Sequence, residues 1–281
     1  MSYVDDIFIM DLQDILGQEW ETDNRARWKD GSPVKTKRII QSVNTYDLSK
    51  GFPILSLREI NWKADIDEII WVMIRQSNNI ADLNSTIWNS WANEKGEIAK
   101  AYGYQIGQPT MGHPSQLHYV IHELKTNPTS RRIMMNMYNA EDQLLKATAS
   151  LIECAYATHF SAKGGKLHMT LIQRSGDFLT AAGSGGWNLT QYAFLQHAIA
   201  QEVGLSVGKL THFVQDLHLY NKHDEQALEL MDRYFNSEEH FKFELPTLKI
   251  ADKSIFDLTV DDVELIGYQH MGKIKRLDVA I

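Results

Sequence analysis

Few breaks interrupt this chain. Its 281 residues include six prolines and seventeen glycines, and no cluster of them forms a linker. No low-complexity run or internal repeat divides the sequence either. A chain of this length, 43% hydrophobic, has to bury its apolar side chains in one continuous core and has ample material to do so. The prediction is one domain over residues 1–281, of the α+β class because helical and strand periodicities both occur.

The clearest strand signal lies around Lys163-Gly164-Gly165, which predicts a hairpin between strands at Ala155–Ser161 and Lys166–Arg174. Leu167, Met169 and Leu171 alternate there with His168, Thr170 and Ile172, giving one apolar and one mixed face. Further strands are expected at Arg132–Tyr138, Leu210–Leu219, Leu248–Ile250 and Val263–Tyr268. Ile66, Ile69, Ile70 and Val72–Met73 predict a buried helix from Trp62 to Ile74. Leu117, Val120, Ile121 and Leu124 predict an amphipathic helix over Gln116–Thr126, capped by Ser115 and stopped by Asn127-Pro128. Leu189–Val203 reads as a helix ended by Gly204, and Asn221 as the cap of the next one.

Charge and cysteine content exclude some functions. Lys and Arg total 28 against 36 Asp and Glu, a formal net charge of −8, which is unsuited to coating nucleic acid. One cysteine excludes intrachain disulfides and cysteine-based zinc clusters, and fits a reducing compartment. Asp5, Asp6, Asp11 and Asp14 interrupt the apolar start, so no signal segment is read, and no run approaches a membrane span. A cytoplasmic protein is expected.

Taken singly, most chemistry-bearing residues have ordinary explanations. A lone cysteine such as Cys154 is usually a small buried hydrophobe, but becomes a nucleophile beside cations. Ser130-Arg131-Arg132 and Arg174-Ser175 pair guanidinium with hydroxyl at strand edges, which suits a phosphate. His118 and His122 are spaced i, i+4 but lack a third ligand, so no metal is expected and both are placed on a wet helix face. Gly183-Ser184-Gly185-Gly186 matches no nucleotide phosphate loop and reads as a turn or a mobile loop over a site. Trp88 and Trp91 share a face as core or as an aromatic wall for a flat ligand.

In order along the chain, these pieces resemble the folate-dependent thymidylate synthase family. The resemblance runs through Phe52-Pro53-Ile54-Leu55, Trp62-Lys63, Glu68-Ile69-Ile70-Trp71, Thr86-Ile87-Trp88, Ala101-Tyr102-Gly103 and Asn127-Pro128-Thr129-Ser130-Arg131-Arg132. It continues through Cys154, Gln173-Arg174-Ser175-x-Asp177, Asn188-x-x-x-Tyr192, Asp216-Leu217-His218-Leu219-Tyr220 and the tail Asp278-Val279-Ala280-Ile281. It implies a large mixed sheet flanked by helices, with sheets packed back to back in a homodimer. It also implies one-carbon transfer from 5,10-methylenetetrahydrofolate to C5 of dUMP, giving dTMP and dihydrofolate.

The same resemblance implies roles by position. Cys154 would attack C6 of the pyrimidine, with Glu68, Tyr102 and Asp177 serving the later proton transfers and folate chemistry. Arg25, Arg174 and Ser175 would hold the phosphate, joined by Arg131 and Arg132 of a second subunit. His218 and Tyr220 would bind the sugar. Asn188 would choose uracil, since its carboxamide complements O4 and N3–H. Arg58, Ile87, Trp88, Trp91, Asp177, Ala280 and Ile281 would face the folate. No metal is implied.

The chain departs from the family pattern in four places, one of them a longer stretch from Asn139 to Cys154. Glu153 replaces a usual Pro before the cysteine, Ala155 stands where His is frequent, and the glycine-rich loop replaces a compact turn before Asn188. Two other outcomes therefore stay open. One is a dUMP hydroxymethylase that releases hydroxymethyl-dUMP and tetrahydrofolate. The other is an inactive relative that binds nucleotide or RNA.

Overall fold

The structure, a computed structural model, describes residues 2–142, 152–237 and 243–278. Ala280 and Ile281 lie outside the described residues, as does the side chain of Arg25.

A seven-stranded mixed sheet organises the chain. Its strands are β1 (Glu21–Arg27), β2 (Pro33–Asp47), β3 (Met134–Asn136), β4 (Ala155–Lys163), β5 (Lys166–Gln173), β6 (Gly176–Asp177) and β7 (Ser206–Tyr220). Their spatial order is β1-β2-β7-β5-β4-β3, with β6 also paired to β7. Strands β5 and β6 run parallel to β7, and the other pairs are antiparallel. The predicted hairpin joins β4 to β5. Gly164 and Gly165 turn it at φ 60° and 73°, the left-handed region that a tight two-residue turn requires.

Six helices pack around this sheet in the described chain: α1 (Tyr3–Leu16), α2 (Trp62–Ile69), α3 (Gly103–Ile106), α4 (Gln116–Thr126), α5 (Trp187–Val203) and α6 (Asp224–Asn236). Strands β8 (Thr247–Ile250) and β9 (Val263–Ile266) pair separately. The register gives the two sheet faces different fates. Tyr46, Leu210, Met169 and Phe160 stand side by side and are buried, beneath a layer that includes α1 and α5. Val43, Phe213, Ile172 and Ala157 form the corresponding row on the opposite face, where Val43 is 57% exposed.

Several sequence expectations need correcting. The helix from Trp62 changes to a wider π turn at Ile70–Ile74, keeping every one of those five residues buried. The strand expected at Arg132–Tyr138 is a three-residue edge strand. Asn221 does not cap α6, because its Oδ1 accepts from Trp28 Nε1 and Lys35 N, and the helix starts later, at Asp224. The glycine loop is a turn, closed by Gly186 N donating to Gly183 O, but it is buried instead of covering a site at the surface. Its four residues are buried, Ser184 Oγ donates to Val4 O, and Leu55 N donates to Gly185 O. His118 is half-buried against Phe256, while His122 is exposed beside His113.

Candidate active site

Cys154 sits at the turn into β4. Its backbone N–H donates to the Tyr102 phenol oxygen at 3.1 Å. Arg174, at the end of β5, wraps the same turn: Nε donates to Glu153 O and Nη2 to Ile152 O, while Nη2 stands 3.5 Å from Cys154 Sγ. A cation so placed supplies the electrostatic condition for a thiolate nucleophile. Glu153 is fully buried, and its charge and that of Cys154 both bear on the Tyr102 phenol. Burial above all, then these charges, push the Tyr102 pKa well up, so the phenol stays protonated. Tyr102 itself holds φ 35°, a strained conformation for a bulky residue, immediately before α3.

Glu68 lies on α2. Burial raises its pKa, against hydrogen bonds that lower it. Oε1 accepts from Gln191 Nε2 at 2.9 Å and from Trp187 Nε1 at 3.2 Å. Trp88 Nε1 faces the same carboxyl and also draws its pKa down, although its geometry falls short of a formed bond. Oε2 has no hydrogen-bond partner among the described residues. A buried carboxyl with one oxygen held and the other free is suited to exchanging a proton with a bound molecule or water.

Asn188 lies in the first turn of α5. Its Oδ1 accepts from Gln173 Nε2 at 3.1 Å, and its Nδ2 donates to Gln191 Oε1 at 3.3 Å. Each atom keeps one further bonding capacity for a ligand. Gln173, Trp187 and Gln191 were not singled out as site residues. The spacing of Gln191, three residues beyond Asn188 on one helix face, is the signal that would have found it.

Asp177 and His218 are neighbours in the β6–β7 ladder. Thr180 Oγ1 donates to Asp177 Oδ2, and Leu179 N and Thr180 N donate to Oδ1. Burial alone would raise the Asp177 pKa. His223, 3.6 Å away at Nδ1, outweighs it with help from His218 and Thr180, and the carboxyl sits below its usual value. His218 Nδ1 bonds Asp216 Oδ1 at 3.1 Å, and its ring meets Tyr220 edge-on at 4.9 Å. Ser175 lies in the turn between β5 and β6 and is half-buried.

The aromatic wall exists as a cluster. Trp88 packs against Trp91, Tyr102 and Trp71 at centroid distances of 5.5, 5.6 and 6.2 Å, on a short 3-10 turn with Ile87 exposed beside it. Arg58 points inward, with Nη2 donating to Leu179 O at 2.6 Å, and burial lowers its pKa against the pull of Asp65. Arg131 and Arg132 are exposed and far from Cys154 of their own chain. Met134 pairs with His159, so Arg132 aligns with Ser161, roughly seven residues or 23 Å along β4 from the cysteine. Among the described residues no three His, Cys, Asp or Glu side chains converge as metal ligands, and no helix is long and apolar enough to cross a membrane.

A cysteine at the start of an inner strand, a guanidinium at its sulfur and a carboxamide linked to a buried carboxyl define a site for nucleophilic chemistry on a polar, planar ligand. Comparison with known proteins gives the family. The family model for thymidylate synthase matches residues 6–281. Thymidylate synthase 1 of Bacillus subtilis strain 168 is 34% identical over 276 residues, covering 94% of each chain. Thymidylate synthase of Fusobacterium nucleatum is 35% identical over 279 residues, covering 96% of each. The solved structure of thermostable thymidylate synthase A from B. subtilis superposes with a TM-score of 0.87 at 33% identity, covering 99% of both chains. The chain belongs to the thymidylate synthase family.

Proposed function

We propose that this protein converts dUMP and 5,10-methylenetetrahydrofolate to dTMP and dihydrofolate. The observation that carries the reading is the approach of Arg174 Nη2 to Cys154 Sγ, in a chain of this family. The Cys154 thiolate adds to C6 of uracil, and the electron density arriving at C5 attacks the folate methylene carbon. Loss of the C5 proton and elimination of tetrahydrofolate leave an exocyclic methylene. Hydride from tetrahydrofolate reduces that methylene to methyl, the folate becomes dihydrofolate, and Cys154 leaves C6. Covalent catalysis thus divides one hard substitution into easier steps.

Glu68 serves proton transfer through its free oxygen, with Tyr102 as a protonated neighbour. Asn188 pairs with O4 and N3–H of uracil. Arg25, Arg174 and Ser175 bind the phosphate, and His218 and Tyr220 bind the sugar. Ile87, Trp88, Trp91, Asp177 and Arg58 shape the folate side, closed by Ala280 and Ile281. The protein works as a homodimer in the cytoplasm. Its partner surface is the open sheet face with Val43, Ile172 and Phe213, and the distance of Arg131 and Arg132 from their own Cys154 supports their donation to the second subunit's phosphate site.

Incubation with dUMP and methylenetetrahydrofolate tests the reading. Dihydrofolate and dTMP should accumulate in equal amounts. Hydroxymethyl-dUMP without dihydrofolate would replace the methylation step with hydration, and no release of the C5 proton would remove the catalytic reading altogether.

A further inference from the structure

Four side chains and one backbone carbonyl form a hydrogen-bond chain whose direction is fixed. It begins at Ser175 O, which can only accept, so the group that meets it at 2.9 Å is the nitrogen of Gln173. The same nitrogen donates to Asn188 Oδ1, Asn188 Nδ2 donates to Gln191 Oε1, and Gln191 Nε2 donates to Glu68 Oε1. Gln173 Oε1 faces His212 Nε2 at 2.9 Å. Burial lowers the His212 pKa to about 4, so the ring is neutral, and opposite an amide oxygen its proton belongs on Nε2. Gln173, Gln191, His212 and Glu68 are all buried.

We infer that Gln191 is a positioning residue that locks the Asn188 carboxamide in the orientation matching uracil and opposing cytosine. The inference rests on the dUMP reading. Uracil offers an acceptor at O4 and a donor at N3, whereas cytosine offers a donor at N4 and an acceptor at N3. Asn188 can serve cytosine only by rotating its amide half a turn. Rotation would set its nitrogen against Gln173 Nε2 and its oxygen against Gln191 Oε1. Rotating the two glutamines to compensate would set Gln173 oxygen against Ser175 O and Gln191 oxygen against the Glu68 carboxyl. At Ser175 O the mismatch never disappears, at Glu68 it is relieved only by holding a proton on the carboxyl, and unpaired buried polar groups are strongly disfavoured. Asn188 supplies the recognising atoms, and Gln191 acts together with Gln173 to set which of them faces which way.

The test measures the ratio of dUMP to dCMP affinity for Gln191→Leu and Gln191→Glu by competition binding. Leucine removes both bonds and leaves Gln173 alone to oppose rotation of Asn188, so the ratio should fall by roughly tenfold, with dCMP binding tightened in absolute terms. Glutamate keeps an acceptor opposite Asn188 Nδ2 and bonds Glu68 by sharing one proton between the two carboxyls, so its ratio should stay within about twofold of the parent. General damage to the fold would weaken both nucleotides together. Parallel weakening with an unchanged ratio in Gln191→Leu overturns the inference, as does an equal loss of ratio in Gln191→Glu. Should Gln191→Leu fail to fold, Gln191→Met makes the same deletion with a flexible chain and is read the same way. A parent protein that binds neither nucleotide would instead overturn the dUMP reading.

Discussion

Arg174 Nη2 reaches both the Ile152 carbonyl, at 2.8 Å, and the Cys154 sulfur, at 3.5 Å. One guanidinium therefore ties down the turn that carries the nucleophile and provides its counter-charge. Lysine has a single terminal nitrogen and cannot also make the Nε bond to Glu153 O that fixes this turn. Arg174→Lys should lower kcat/KM by on the order of 10²-fold. Cys154→Ser should lower it by at least about 10³-fold and abolish the covalent adduct with 5-fluoro-dUMP and folate seen by mass spectrometry. A fully active Cys154→Ser protein would rule out the thiolate mechanism.

If each phosphate site draws arginine from both subunits, two inactive proteins should rescue one another. Cys154→Ser and the double variant Arg131→Ala/Arg132→Ala are each expected to be nearly inactive. After unfolding together and refolding, mixed dimers hold one site with no defect, and about a quarter of parental activity should return under statistical pairing. Absence of recovery, with mixed dimers verified by native mass spectrometry, would count against the shared site.

Gly185 has φ 69°, and a Cβ there would lie 2.3 Å from Leu55 N. Both the backbone conformation and the approach require glycine. Gly185→Ala should cost about 3 kcal/mol and lower Tm by roughly 6 °C or more. A change under 1 °C in calorimetry would mean that the loop does not pack in this way.

The Asp177–His223 pair should leave a pH signature on stability. For His223, burial lowers the pKa, but Asp177 more than offsets this and the net shift is upward from 6.5. Its contribution is therefore complete below 6.5 and lost as pH rises through the folded value. For Asp177, burial raises the pKa, but His223 and its other partners prevail and the net shift is downward from 3.8. Its contribution is complete above 3.8 and lost as pH falls through the folded value. The Tm difference between the parent and His223→Gln should accordingly be largest between these two unshifted values, near pH 5, and shrink toward pH 9. A difference that grows toward pH 9 would contradict the pairing.

The parts of the fold written in local chemistry could be read directly. Ser115 capping α4, with its Oγ near His118 N, Pro128 beyond the helix end and Gly164-Gly165 in the β4–β5 turn all act within a few residues. Helix α1 and strands β1 and β2 escaped the reading. In α1 the buried Asp5 accepts from Ser56 N and Oγ, 51 residues away, a tertiary partner that hides the inward face. In β2 the positive φ of Gln41 breaks the two-residue alternation. The candidate site residues came from a family resemblance, which says nothing of how they connect. Glu68 and Gln173 lie on other elements than Asn188 and Gln191, and only the folded sheet and helices bring the two groups together.

The buried glycine loop makes the first few residues matter to chemistry they never touch. Ser184 hangs from Val4, Gly185 is tied to Leu55, and α5 begins two residues later with Trp187 and Asn188. The amino-terminal helix thus serves as a datum against which the ligand-reading end of α5 is set. Shortening the chain by its first five residues should blur nucleotide choice while the far end of the sheet keeps its protection from hydrogen exchange. An unaltered nucleotide preference in that shortened protein would show that α5 finds its place without this anchor.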